Sequence, residues 1–99
     1  MLQFILRGLD GTDENAPARR KMARPAHLEN LIPLKKSENY ILGGALLNDD
    51  GNMIGSVLIL QFKSHSDLDI YLETEPYVVH NVWEKIEISP FKVAQIKID

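Results

Sequence analysis

Two apolar segments, residues 40–47 and 54–63, are separated only by Asn48-Asp49-Asp50-Gly51-Asn52. The Asp-Gly pair suits the positive-φ positions of a tight loop, so the segments are predicted to pair as an antiparallel hairpin. A hairpin at mid-chain restricts the available folds, because whatever precedes and follows it must pair with or cover the same sheet. In the second segment Ile54, Leu58, Leu60 and Phe62 fall on one face, while Val57 and Ile59 fall on the other. An antiparallel sheet with one wet face carries polar residues there. Here both faces call for cover, and a second copy of the chain is the simplest supplier, so a homodimer is expected. Monomers with short two-sided apolar strands are the alternative.

The flanking segments complete the pattern. Leu2, Phe4 and Leu6 alternate with Gln3, Ile5 and Arg7, which is strand periodicity, and the turn around Asp10-Gly11 ends it. Thr12, Asp13 and Glu14 offer cap and first-turn acids ahead of Pro17, and residues 18–36 are rich in helix formers. A proline inside a helix costs about 3 kcal/mol. An irregular entry through Arg24 is therefore predicted, followed by a regular helix from Pro25 with Leu28, Leu31 and Ile32 as its core stripe.

Beyond the hairpin, Ser66 and Asp69 outline a capping box, and Leu68, Tyr71 and Leu72 form an i, i+3, i+4 patch, which predicts a second helix ending before Pro76. Residues 77–81 look irregular and 82–88 alternate. After Ser89-Pro90 a further strand is expected over 91–98. The order predicts an α+β, ferredoxin-like βαββαβ unit in one domain spanning 1–99: an antiparallel sheet, two helices on one face, and an extra C-terminal strand.

Composition narrows function by exclusion. The 99 residues carry a formal net charge of −3 and no cysteine. The charge gives no general attraction to nucleic acid or anionic lipid. The lack of cysteine removes disulfides, thiolate nucleophiles and cysteine-ligated metal centres. Apolar runs such as residues 57–60 fall far short of the roughly 20 residues of a membrane span. Residues 1–6 lack the basic start of a signal peptide. A cytoplasmic protein with no nucleic-acid or membrane partner is expected.

Arg24-Pro25-Ala26-His27-Leu28 with Leu31, Tyr40-Ile41-Leu42-Gly43-Gly44, Gly55-Ser56-Val57, Thr74-Glu75-Pro76-Tyr77-Val78 and Ile88-Ser89-Pro90-Phe91 follow one another along the chain. In this order they resemble the motifs of the YCII-related family. The resemblance implies a ferredoxin-like subunit that pairs into a dimeric α/β barrel with a pocket near the sheet. It also implies a catalytic pair made of a helix histidine, matched by His27, and an aspartate before Pro-Tyr, replaced here by Glu75. A few relatives act as dehydrochlorinases on hydroxylated aromatics.

The residues can also be weighed on their own chemistry. Arg20, Arg24, His27 and Leu31 share one helical line, so a guanidinium and an imidazole can border a pocket where arginine holds an anionic oxygen and histidine moves a proton. Alternatively, the first turns of the helix simply leave the core. Glu75 reads either as a solvated helix-end carboxylate or as the group that orients His27. Ser56 lacks the nucleophile-elbow glycines and is expected, with Arg24 and Tyr77, to bind substrate. Helix capping accounts for Asp67 and Asp69 beside His65, so no metal is expected. Gly43-Gly44 lacks dinucleotide-loop spacing, and no cofactor is implied. His80 and Trp83 read as packing or pocket wall.

The leading expectation is a cofactor-independent acid–base enzyme, lyase- or dehydrochlorinase-like, acting on a small polar or aromatic substrate. A non-catalytic ligand-binding or regulatory module of the same fold is the alternative.

Overall fold

A computed structural model describes residues 1–99. Its elements are β1 (Leu2–Asp10), α1 (Ala16–Lys36), β2 (Tyr40–Leu47), β3 (Met53–Phe62), α2 (His65–Thr74), α3 (Pro76–Val79) and β4 (Trp83–Phe91). All strand pairings are antiparallel, in the order β2-β3-β1-β4. The predicted hairpin is present. Gly51 adopts φ +81° in its loop, and the Asn48 side chain accepts hydrogen bonds from the backbone of Asp50 and Asn52.

The strand periodicity sorts the core. Phe4, Leu6, Leu58, Leu60 and Phe62 point toward the helices, where they pack with Ala23 and Leu31 of α1, Leu68 and Tyr71 of α2, Tyr77 of α3, and Val82 and Trp83. The opposite face carries Ile5, Leu9, Leu42, Leu46, Val57 and Ile59, with Arg7, Lys85 and Glu87 toward the β4 side.

Several expectations are corrected. The sheet is open, with β2 and β4 as edges that do not meet, so it is not a closed α/β barrel. The extra C-terminal strand is also absent. One strand, Trp83–Phe91, runs through Ser89-Pro90, and nothing regular follows it. Pro90 is tolerated because β4 is an edge strand, where a missing donor breaks no inner ladder. Helix α1 is continuous from Ala16 through Pro25 and Pro33. Both prolines are exposed, as are Lys21 and Glu29, whose carbonyls they leave without a helical donor, so water can take those carbonyls.

The buried line of α1 is Ala16, Arg20, Ala23, His27 and Leu31. Leu28 and Ile32, predicted as core, are 45% and 52% exposed. Ser64, not Ser66, caps α2: its extended backbone lets its hydroxyl accept from Asp67 N at 3.2 Å. Of residues 77–81, expected to be irregular, the first three belong to the single turn α3, Pro76–Val79.

Gly8 decides where the aromatic end of the core sits. A Cβ added there would lie 2.5–2.6 Å from the Trp83 indole, whereas one at Gly44 meets nothing within 4 Å. Gly8→Ala is expected to cost about 1–3 kcal/mol through overpacking, read as a lowered urea midpoint. Gly44→Ala should leave that midpoint unchanged or raise it. Equal behaviour of the two variants would mean that the indole is not held against Gly8.

Candidate active site

Glu75 occupies the joint between α2 and α3. Its backbone is extended, Pro76 opens the next turn, and its Oε1 accepts the Tyr77 backbone N–H at 3.1 Å, so it caps α3 through its side chain. That geometry turns the carboxylate inward, and Glu75 is 0% exposed. The same Oε1 meets His27 Nδ1 at 2.5 Å, and Oε2 accepts the hydroxyl proton of Tyr71, one helical turn upstream. Burial, reinforced by the Glu75 charge, pushes the Tyr71 phenol well above its ordinary value, so it remains an O–H donor. Both Glu75 oxygens face donors, and in this hydrogen-bond set His27 Nδ1 carries a proton toward Oε1.

His27 is 6% exposed and stacks on Tyr77, with ring centroids 3.9 Å apart and planes 11° from parallel. Trp83 meets the imidazole edge-on at 6.1 Å. With Nδ1 engaged, Nε2 is the nitrogen left for chemistry, and His27 lines a cavity of about 170 Å³ between α1, β2 and β3. Arg20, Arg24, Ser56 and Tyr77 line it too, and Gly43 and Gly44 form part of its wall. A Cβ on Gly43 would come within 2.6 Å of Leu58 and 2.9 Å of the Tyr40 hydroxyl, so glycine keeps that wall thin. A larger cleft of about 860 Å³ lies elsewhere, among the N-terminal residues, His65 and the residues after β4. It has no buried acid–base pair.

The structure thus brings His27, Arg24, Ser56 and Tyr77 to one cavity, with Glu75 directly behind His27. Arg24 is exposed and sits at the rim, whereas Arg20, one turn earlier, is the buried arginine. Arg20 Nη1 donates to both Asp10 oxygens at 2.9 and 3.1 Å, and its Nη2 donates to Ser56 Oγ at 2.9 Å. Its guanidinium carbon also lies 4.7 Å from the Tyr77 ring centre. Burial pushes the Asp10 carboxyl up against the opposing pull of Arg20. Trp83 Nε1 donates to Ser56 Oγ at 3.2 Å.

The sequence places Arg20 on the His27 line of α1 and reads Trp83 as packing or pocket wall, but it gives neither Asp10 nor Tyr71 a part in this site. A usable signal existed for Tyr71, which is i−4 to Glu75. Asp10 and Trp83 come together only through strand pairing. His80, by contrast, is exposed away from the cavity, and His65 pairs with Asp69 at 3.4 Å on the surface.

The sequence pattern of the YCII-related domain matches residues 6–92. Protein YciI of Escherichia coli and that of Shigella flexneri are each 30% identical over 80 residues, covering 75% of this chain and 82% of theirs. Among solved structures, 5-chloro-2-hydroxyhydroquinone dehydrochlorinase from Burkholderia phenoliruptrix, in complex with 2,5-dihydroxybenzoquinone, superposes with a TM-score of 0.80 at 25% identity. That match covers 93% of this chain and 95% of the enzyme. A dimeric ferredoxin-like protein of unknown function from a Jannaschia species shares the fold, with a TM-score of 0.57, 17% identity, and 94% and 100% coverage.

Tyr71→Phe removes one donor from a fully buried carboxylate and leaves Oε2 unpaired. A loss of about 1–3 kcal/mol in unfolding free energy is expected, measured by urea denaturation at neutral pH. An unchanged midpoint would show that Oε2 finds water or another donor.

Proposed function

The chain belongs to the YCII-related family, and on that premise we propose that it is a cofactor-independent enzyme of the lyase type, related in chemistry to the dehydrochlorinase it resembles. The observation that carries this reading is the buried His27–Glu75 pair, in which Nδ1 is engaged by the carboxylate and His27 lines a small cavity. A carboxylate behind Nδ1 fixes the tautomer and stabilises the imidazolium that forms when Nε2 takes a proton. The cavity volume limits the substrate. Drug-sized ligands need roughly 300–1,000 Å³, whereas a cavity of about 150 Å³ holds a benzene ring, so a single-ring or smaller molecule fits about 170 Å³.

On a chlorinated, hydroxylated ring the chemistry balances without oxidant or reductant. His27 Nε2 takes the proton of one ring hydroxyl and returns it to the chlorine-bearing carbon. A second hydroxyl then gives up its proton as chloride leaves with the C–Cl electron pair. HCl is lost and a quinone remains. Arg24, Ser56 and Tyr77 are the proposed substrate-binding residues, and His27 and Glu75 the catalytic pair.

The enzyme is further proposed to work in the cytoplasm as a homodimer that covers the apolar open face of the sheet. No helix is long and apolar enough to cross a membrane.

Chloride release from 5-chloro-2-hydroxyhydroquinone tests the chemistry. The wild type should turn it over, and His27→Asn should be slower by about 100- to 10,000-fold, the usual contribution of a positioned acid–base group. A wild type no faster than buffer would dispose of the elimination, and an unimpaired variant would remove His27 from it. Light scattering at micromolar concentration should return twice the 11.2 kDa of the chain. A mass of 11.2 kDa would overturn the dimer.

A further inference from the structure

Apart from His27, the proton inventory of Ser56, Tyr77, Arg20 and Arg24 along the cavity wall is one-sided. A serine hydroxyl has one proton to donate and two lone pairs to accept with. On Ser56 both acceptor positions are taken, by Arg20 Nη2–H and by Trp83 Nε1–H. Its own proton has no acceptor within the chain, and Ser56 lines the cavity while only 2% exposed.

The Tyr77 hydroxyl, on a residue that is 0% exposed and also lines the cavity, is buried without any hydrogen-bond partner, as is Arg20 Nε. Burial holds the Tyr77 phenol above its ordinary value, so it too is an O–H donor. The rim adds the Arg24 guanidinium, a further donor with no acceptor capacity. Leaving buried donors unmade is costly, so a ligand that satisfies them must bring acceptors.

We infer that the cavity selects a ligand bearing an anionic oxygen, a phenolate or a carboxylate, seated on the hydroxyls of Ser56 and Tyr77. Arg20 is the positioning residue that holds Ser56 Oγ as an acceptor and so turns its proton into the cavity. The inference rests on the His27 cavity being the substrate site and adds the charge class of that substrate. Asp10 keeps Arg20 in place through both carboxylate oxygens. Because those bonds and the bond to Ser56 leave from different nitrogens of one planar fork, lysine cannot reproduce the set.

Isothermal titration with unreactive probes tests this without requiring turnover. Benzoate and 4-nitrophenolate supply the two sources of anionic oxygen, and nitrobenzene supplies a neutral ring of similar size. At least one oxyanion should bind tenfold or more tightly than nitrobenzene. Ser56→Ala should weaken that oxyanion about tenfold and leave nitrobenzene unchanged. Tyr77→Phe, which keeps the ring stacked on His27, should do the same.

Arg20→Lys should weaken oxyanion binding in the wild-type background but add nothing to Ser56→Ala, as expected when one residue acts through the other. Equal binding of nitrobenzene and the oxyanions, no binding of any probe, or an unchanged affinity in both Ser56→Ala and Tyr77→Phe would overturn the charge selection. Additive losses in the double variant would overturn the positioning role of Arg20. A protein that binds oxyanions yet releases no chloride would fail the proposed elimination and not this inference.

Discussion

A carboxylate withdrawn wholly from water carries a penalty of several kcal/mol even after the surroundings relax, and Glu75 is in that position. The penalty is offset only if every oxygen finds a donor. Here the donors come from three helices: His27 Nδ1 on α1, the Tyr71 hydroxyl on α2 and the Tyr77 backbone N–H on α3. Glu75 is therefore a junction. Any movement of one helix away from the other two would leave a buried charge short of a partner. The orientation of His27 follows directly, since its Nδ1 is engaged by the carboxylate and its face is stacked on Tyr77. Only Nε2 is left uncommitted.

A second buried cluster does for the sheet what Glu75 does for the helices. Asp10 at the end of β1 and Ser56 in β3 are both held by the Arg20 guanidinium of α1, and Trp83 at the start of β4 reaches the same serine. Tyr77 links the two clusters, stacked on His27 and lying under Arg20. Their chemical offerings are complementary. The Glu75 cluster holds His27 on the cavity wall with Nε2 uncommitted, and the Arg20 cluster offers donors. A molecule that both gives up a proton and accepts hydrogen bonds at a neighbouring oxygen meets both demands at once.

Much of this was legible in the residues, and the gaps have physical causes. The hairpin was visible because turn chemistry is local, and the sheet face was visible because strand period is local. His27 and Glu75 were named as a pair only through the resemblance. Nothing within a few residues of Glu75 signals that its carboxylate turns inward, because inward capping of α3 and burial under α1 are decided by tertiary packing. Arg20 and Arg24 both fall on the His27 line, and substrate binding is expected of Arg24. On a helix, though, the residue seven positions away returns to the same face, and the buried line of α1 runs Arg20, Ala23, His27. The extra strand over 91–98 was over-read from the Ser89-Pro90 break, which an edge strand absorbs.

The continuity of α1 through Pro25 shows what the two clusters accomplish together. Local rules set about 3 kcal/mol against an interior proline, which is why a break at Arg24 was expected. Arg20 and His27 stand on opposite sides of that proline, seven residues and thus about 10 Å apart along the axis. Each is anchored to a buried carboxylate, Asp10 on one side and Glu75 on the other. Breaking the helix at Pro25 would let the two halves rotate, and at least one of these buried contacts would be lost. Leaving one member of a buried ion pair without its partner costs about 3–5 kcal/mol, a cost at least of the same order as the proline penalty. The helix therefore stays whole because both anchors require the same register, and that register also sets Ser56 and His27 on the wall of a common cavity.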